Sequence, residues 1–385
     1  MFSHCNVMIK MFPAGAGDCL LLDFIKEDYR ILIDGGYADT YRKYLKKYLT
    51  ELAMQEKRIN LLIISHIDSD HIGGIQALLE ENGLAESPSI IGVDEVWYNA
   101  FFHVNREKVH EGTIPYTIRE FLSQSLTIHN GFKRDGRFDI SVNQGNTVAG
   151  LLKERGYNWN SMWDGKAVCV KYGGGKYLTD KIKCTLVSPG EKELNELAQF
   201  WISKLKSNIK EFIVCDNVIY SEAFECYYMH NEQDQDDVIR KDIDFDNVEK
   251  EKEIDWSKWV DAWSGQIDNS VTNRSSIAFL LEYKGIKLLF PGDCPIQLIQ
   301  EKLPKVIDIV KLPHHGSEKN MNNEFINNTE VSYYLLSTDG QQHGHPSKQV
   351  VANILYSAPG SPVLLKNYDI SDLDGIGVFM GDEHE

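Results

Sequence analysis

Short apolar runs bounded by Gly, Asp and Asn alternate along this chain with longer stretches of helical period. Residues 7–11, 19–25 and 30–33 read as strands. In 37–57, Tyr41, Tyr44, Leu45, Tyr48, Leu49 and Leu52 share one face with lysines opposite, which predicts a helix packed on a core. Residues 61–64 are apolar and β-branched, as a strand buried on both faces requires, and 75–81 resumes as a helix. Residues 94–98 predict another strand. Further on, 167–172 and 183–188 predict a strand pair across Gly173 to Lys176, and 189–210 an amphipathic helix. Residues 276–283 and 287–290 read as paired strands joined by Lys284-Gly285. Then come a helix over 295–303, strands over 306–311 and 333–337, and a helix over 347–356. Strands alternating with helices place the chain in the α/β class.

Two segments break the alternation and read as insertions in a single domain spanning 1–385. The first, about 99–164, is rich in Gly and Asn, could lie over a site, and offers His103, His110 and His129 for substrate contact. The second, about 191–265, is helical and then acidic. Its carboxylate runs lack the Gly and the closing Glu of a calcium loop, so a solvated segment able to meet a protein partner is expected. Trp256, Trp259 and Trp263 follow at near-helical spacing and would anchor it. Gly173-Gly174-Gly175-Lys176 lacks the spacing of a phosphate-binding loop and reads as a hairpin tip.

The chain has 385 residues, of which 42% are hydrophobic, ample for a core. A net charge of −17 argues against unspecific coating of nucleic acid. Seven cysteines form no Cys-x-x-Cys pair, so reduced thiols and a cytoplasmic setting are expected. No stretch approaches membrane-spanning length. The oligomeric state is left open.

The chemistry concentrates in Ser65-His66-Ile67-Asp68-Ser69-Asp70-His71, just after the buried strand 61–64. His66, Asp68, Asp70 and His71 on a strand-to-helix loop suit a divalent-metal cage, since imidazole and carboxylate together bind zinc, manganese or iron. A helix cap would need one such residue, not four. Gly73 and Gly74 allow close backbone approach. Asp18 follows a Gly-rich turn and could contact the site. Asp34 ends a strand, as either a turn former or a group orienting a ligand. Adjacent His314 and His315 also end a strand; one would ligate and the other meet substrate, with Ser317 and Lys311 as further substrate contacts.

His66-x-Asp68-x-Asp70-His71 resembles the His-x-His-x-Asp-His signature of the metallo-β-lactamase superfamily, with Asp68 at the second His. Ser65 to Gly74 is more similar to the soluble domain of ComEC-type DNA-uptake proteins and their stand-alone relatives. The Gly-Asp at Asp18, His314-His315-Gly-Ser and Gly344-His345-Pro-Ser resemble further blocks of that domain. The resemblance implies a four-layer αβ/βα sandwich and two divalent ions, zinc or manganese with magnesium possible. It implies that Asp293 bridges them, that Asp70 is catalytic, and that His345 binds substrate or acts as an acid toward the leaving oxygen. His343 has no counterpart in those blocks. The superfamily's remaining His falls at Asn273. The first ion would then use His66, Asp68 and Asn273, and the second Asp70, His71 and one of His314 or His315. Oxygen donors in place of two imidazoles favour harder ions. ComEC-type proteins also carry a membrane channel, which this chain lacks.

A metal pair about 3.5–4 Å apart suits phosphoryl transfer, because it activates water and offsets charge on the phosphate. A phosphodiesterase or nuclease acting on nucleic acid or a nucleotide is therefore expected, with Lys311 or Arg274 near the departing oxygen. The alternatives are a hydrolase of a thioester, lactone or β-lactam, or a non-catalytic nucleotide-binding effector module.

Overall fold

The structure, a computed structural model, describes residues 2–4, 6–104, 147–208, 221, 225, 254–260 and 262–380. Two sheets organise it. β1 (Phe2–His4), β2 (Val7–Met11), β3 (Leu20–Phe24), β4 (Tyr29–Ile33), β5 (Leu61–Ile63) and β6 (Val96–Trp97) form one sheet in chain order. The other holds β7 (Gly175–Tyr177), β8 (Ile182–Ser188), β9 (Ala278–Tyr283), β10 (Ile286–Phe290), β11 (Val306–Lys311), β12 (Glu330–Leu336), β13 (Val363–Lys366) and β14 (Val378–Phe379), also in sequential order.

The period of two along each strand sorts its side chains into layers. Leu21, Leu32 and Leu62 turn outward into a core shared with helices Lys46–Met54, Ser69–Asn82 and Val148–Glu154. Their neighbours Leu20, Leu22, Ile31, Ile33, Leu61 and Ile63 turn inward. There they meet Ile182, Phe279, Leu281, Leu288 and Ile309 of the second sheet. Leu280, Leu289, Val310 and Leu336 turn the other way, onto helices Asn323–Asn328 and Lys348–Tyr356. Strands apolar on both faces thus give helix, sheet, sheet and helix, the four-layer sandwich expected.

Sheet order explains where a site can form. β4, β5 and β6 run parallel, as do β10, β11, β12, β13 and β14. Loops after β4, β5, β10, β11 and β12 therefore leave from the carboxyl ends of their strands. The backbone N–H of Ile277 donates to the carbonyl of Ser65 at 2.9 Å, which ties the two sheets together at that edge.

Several elements differ from the sequence reading. The 37–57 helix has a π-helical middle, Tyr41–Leu45, although its apolar face packs as expected. Residues 167–172 form no strand: Ala167 and Cys169 are buried against Leu194, and the partner of β8 is Gly175–Tyr177. The 295–303 helix is replaced by two 3-10 turns, Ile296–Leu298 and Gln300–Lys302, because Ile299 leaves the helical region. The described part of the first insertion belongs to the body, since Val148, Ala149, Leu151 and Leu152 lie in the outer core. His103 is buried among Phe102 and Trp159 rather than offered to substrate. His110, His129 and the acidic runs lie outside the described residues. Trp256 and Trp263 pack on the outer core beside the second sheet, the anchoring role expected. Among the described residues Cys19, Cys169, Cys184 and Cys294 are buried and free. No helix among the described residues is long and apolar enough to cross a membrane.

Candidate metal centre

The loop after β5 is held by Asp34, the residue that ends β4. The Asp34 carboxylate accepts from the backbone N–H of Ser65 and from its hydroxyl, both at 2.7 Å. His71 Nδ1 lies 2.9 Å from Asp34 Oδ2, and His66 Nδ1 lies 2.9 Å from Ser65 Oγ. Asp34 thus orients His71 directly and His66 through Ser65, the orienting role weighed from the sequence.

After β11, His314 and His315 sit at φ 46° and 55°, in the left-handed region that non-glycine residues seldom enter. His315 Nδ1 lies 2.8 Å from the Ser337 carbonyl. His314 Nδ1 lies 3.0 Å from Asn320 Oδ1 and 3.3 Å from Asp268 Oδ2. All of these histidines therefore have Nδ1 engaged by the protein.

Their Nε2 atoms share one target. Those of His66, His71, His314 and His315 lie 3.8, 3.5, 3.9 and 3.9 Å from Asp293 Oδ2. Asp68 Oδ2 stands 3.5 Å from His66 Nε2. Asp70 Oδ2 stands 3.7 Å from His71 Nε2 and 3.5 Å from His315 Nε2. Asp68 occupies the N-cap position of the helix Ser69–Asn82, yet its side chain makes no capping bond. Its other contact is the Thr272 hydroxyl at 3.4 Å.

These residues fit divalent cations. The Nε2 atoms of His66, His71 and His315, with Asp293 Oδ1 and Asp68 Oδ1, are buried and hydrogen-bond to nothing among the described residues. Buried polar atoms are rarely left so. The ligand atoms of His66, His71 and Asp293, and those of Asp70, His71 and His315, each lie within 4.8 Å of one another. Charge tells the same story. Burial disfavours the cationic form of His71, but Asp293, Asp70 and Asp34 outweigh it and hold its imidazole well above the ordinary value. Burial likewise opposes charge on His314, yet Asp293 and Asp268 push it up to about 9. Burial would raise Asp293, but His71, His314 and His315 hold it well below the carboxylate range. Such a set demands positive charge, which protons can supply and a divalent cation would supply better.

Other sequence candidates fall differently. Lys311 is buried beneath the centre, ion-paired with Asp18 and 3.9 Å from Asp293 Oδ1, so it cannot contact substrate. Ser317 is buried, and its hydroxyl accepts from the Lys319 backbone N–H at 3.3 Å, so it shapes the turn. Asn273 donates its amide to Asp268 Oδ2 at 2.7 Å and stands beside His314 as a brace. Arg274 pairs with Glu196 at 3.3 Å. His345 stands over the centre with its ring 5.0 Å from that of His314. Burial, then the charges of His314, His315 and His343, push its imidazole down to about 2. It is neutral at pH 7, which suits the first of its two expected roles, substrate binding, better than the second, that of an acid. Sequence reasoning missed Asp268 and Asn320, which meet each other across 52 positions.

A family model described as the metallo-beta-lactamase superfamily matches residues 13–140, which include the His66-to-His71 loop. No curated protein matches the chain. The match and the His/Asp clusters together support a metal-dependent hydrolase.

Proposed function

We propose that this chain is a metal-dependent phosphodiesterase, with nucleic acid as its substrate. The reading rests on one observation: four imidazole Nε2 atoms surround a single oxygen, Asp293 Oδ2, with Asp68 on one side and Asp70 on the other. Two ligand sets then share Asp293. His66, Asp68 and His314 form the first, and Asp70, His71 and His315 the second. Their mixed nitrogen and oxygen donors suit zinc or manganese, with magnesium as a harder alternative. Two such ions supply Lewis acidity, an activated water and charge to offset a phosphate.

The chain's own residues do the rest. Asp34, Ser65 and Ser337 hold the imidazole rings in place, so no reorganisation is needed when substrate arrives. His345, neutral and at the rim, donates a hydrogen bond to a substrate oxygen. A chain of net charge −17 repels phosphate, so the phosphodiester reading requires the cations of the site to offset the charge of the substrate. It is supported by the resemblance of the 65–74, 314–317 and 344–347 blocks to the soluble domain of ComEC-type DNA-uptake proteins.

The test is hydrolysis of bis-p-nitrophenyl phosphate, single-stranded DNA, RNA and nitrocefin by purified protein loaded with manganese or zinc, beside Asp293→Asn. Metal-dependent cleavage of the phosphodiesters, lost in the variant, is expected. Cleavage of nitrocefin alone would favour hydrolysis of another bond and overturn the proposal.

A further inference from the structure

We propose that Asp268 is a positioning residue, one that fixes His314 as a ligand of the first metal position in place of Asn273. The inference rests on the two-ion reading above.

The contacts assign the donors and acceptors. Asn320 Nδ2 lies 2.9 Å from Asp268 Oδ2 and 2.7 Å from the Asp293 carbonyl, so both its hydrogens are committed. Its Oδ1, an acceptor only, is therefore what faces His314 Nδ1 at 3.0 Å. Asp268 Oδ2, 3.3 Å from the same nitrogen, is also an acceptor. His314 therefore carries a proton on Nδ1, and Nε2, 3.9 Å from Asp293 Oδ2, is the nitrogen that would be left to hold a cation once its own proton is displaced.

Asp268 is itself fixed. Its Oδ1 accepts from the Ser270 backbone N–H at 2.8 Å, and its Oδ2 also accepts from Asn273 Nδ2 at 2.7 Å. That second bond fixes which way the Asn273 amide faces. The Asn273 oxygen meets the Thr272 hydroxyl at 3.3 Å, and Thr272 in turn touches Asp68. One carboxylate thus does two things: it ties Asn273 back as a brace and presents His314 to the position that Asn273 leaves.

Two measurements test this. Zinc is titrated calorimetrically into metal-free wild type, Asp268→Asn, His314→Ala and the double variant. Wild type takes two equivalents. Asp268→Asn weakens one of them tenfold or more, as loss of a ligand's partner does, and leaves the other within twofold. The double variant binds zinc no worse than His314→Ala, because Asp268 acts through that ring. Two unchanged equivalents in Asp268→Asn, or equal weakening of both, overturn the role of Asp268 while the two-ion reading stands. A wild type that holds a single zinc overturns the two-ion reading itself. Should the variant fail to fold, histidine-selective nitrogen NMR of zinc-loaded wild type decides. His314 protonated on Nδ1 supports the inference, and protonation on Nε2 overturns it.

Discussion

Lys311 and Asp18 form a buried ion pair directly beneath Asp293, whose Oδ1 lies 3.9 Å from the lysine nitrogen. The pair lies at the junction of the two sheets, since Lys311 ends β11 and Asp18 precedes β3. Removing one partner of a buried pair leaves a charge that neither water nor protein satisfies, at a cost of about 3–5 kcal/mol. Lys311→Met should therefore lower the urea midpoint sharply, and Lys311→Met with Asp18→Asn should recover part of the loss. An unchanged midpoint in the single variant would contradict the pairing.

Asp34 accepts from Ser65 twice and from His71 once, so its loss loosens both ligand sets. Asp34→Ala should weaken zinc binding about 10–100-fold in competition with a chelator. Asp34→Asn should fall between, since it keeps an acceptor for one donor only. Wild-type affinity in Asp34→Ala would sink the orienting role.

The layers and most of the site were legible because they follow from local pattern. Leu61, Leu62 and Ile63 announce a doubly buried strand by themselves, and the four ligands that follow need only be adjacent to it. Asp293, His314 and His315 stand directly after buried strands, where sheet order brings loops together. What the pattern could not carry was pairing across the chain. Lys311 reads as a cation near a motif, and only the fold reveals that Asp18 consumes it. Asp268 meets Asn320 across 52 positions, and no periodicity encodes that distance. The 167–172 misreading has a different cause: Cys169 is apolar and buried through packing on Leu194, and burial without ladder bonds looks the same in sequence as burial within a sheet.

Gly74 brings the helix Ser69–Asn82 against the loop after β4. A Cβ there would stand 2.0 Å from the Gly35 carbonyl oxygen, closer than atoms can approach. The Gly74 backbone N–H also donates to the Gly36 carbonyl at 2.7 Å, so the helix cannot slide away without breaking that bond. Gly74→Ala should shift His71 and Asp70 off Asp293. The expected outcome is a loss of stability of about 1–3 kcal/mol together with weaker metal binding, read by thermal melts with and without zinc. A variant with wild-type melting and wild-type zinc uptake would show that the contact is slack.

The cage should also set how stability follows pH. The His314 imidazole rises from 6.5 to about 9 on folding, carried by Asp293 and Asp268 against burial, and His71 is raised likewise. A raised folded value stabilises below the unfolded one, and that gain is lost as pH climbs from about 6.5 through 9. Asp293 is depressed below 3.8, so its contribution holds above that value and is lost as pH falls further. His345, pushed down to about 2 on folding, costs stability as pH falls below 6.5, so metal-free protein should melt at its highest temperature near pH 6.5 and several degrees lower at pH 9. Zinc competes with those protons, so its stabilising effect should grow from pH 6.5 to pH 9. Calorimetry at pH 7.5 in two buffers of different ionisation enthalpy should register proton release on binding. A zinc-induced melting shift that shrinks with rising pH, or binding without proton release, would mean that the histidines around Asp293 are not the ligands.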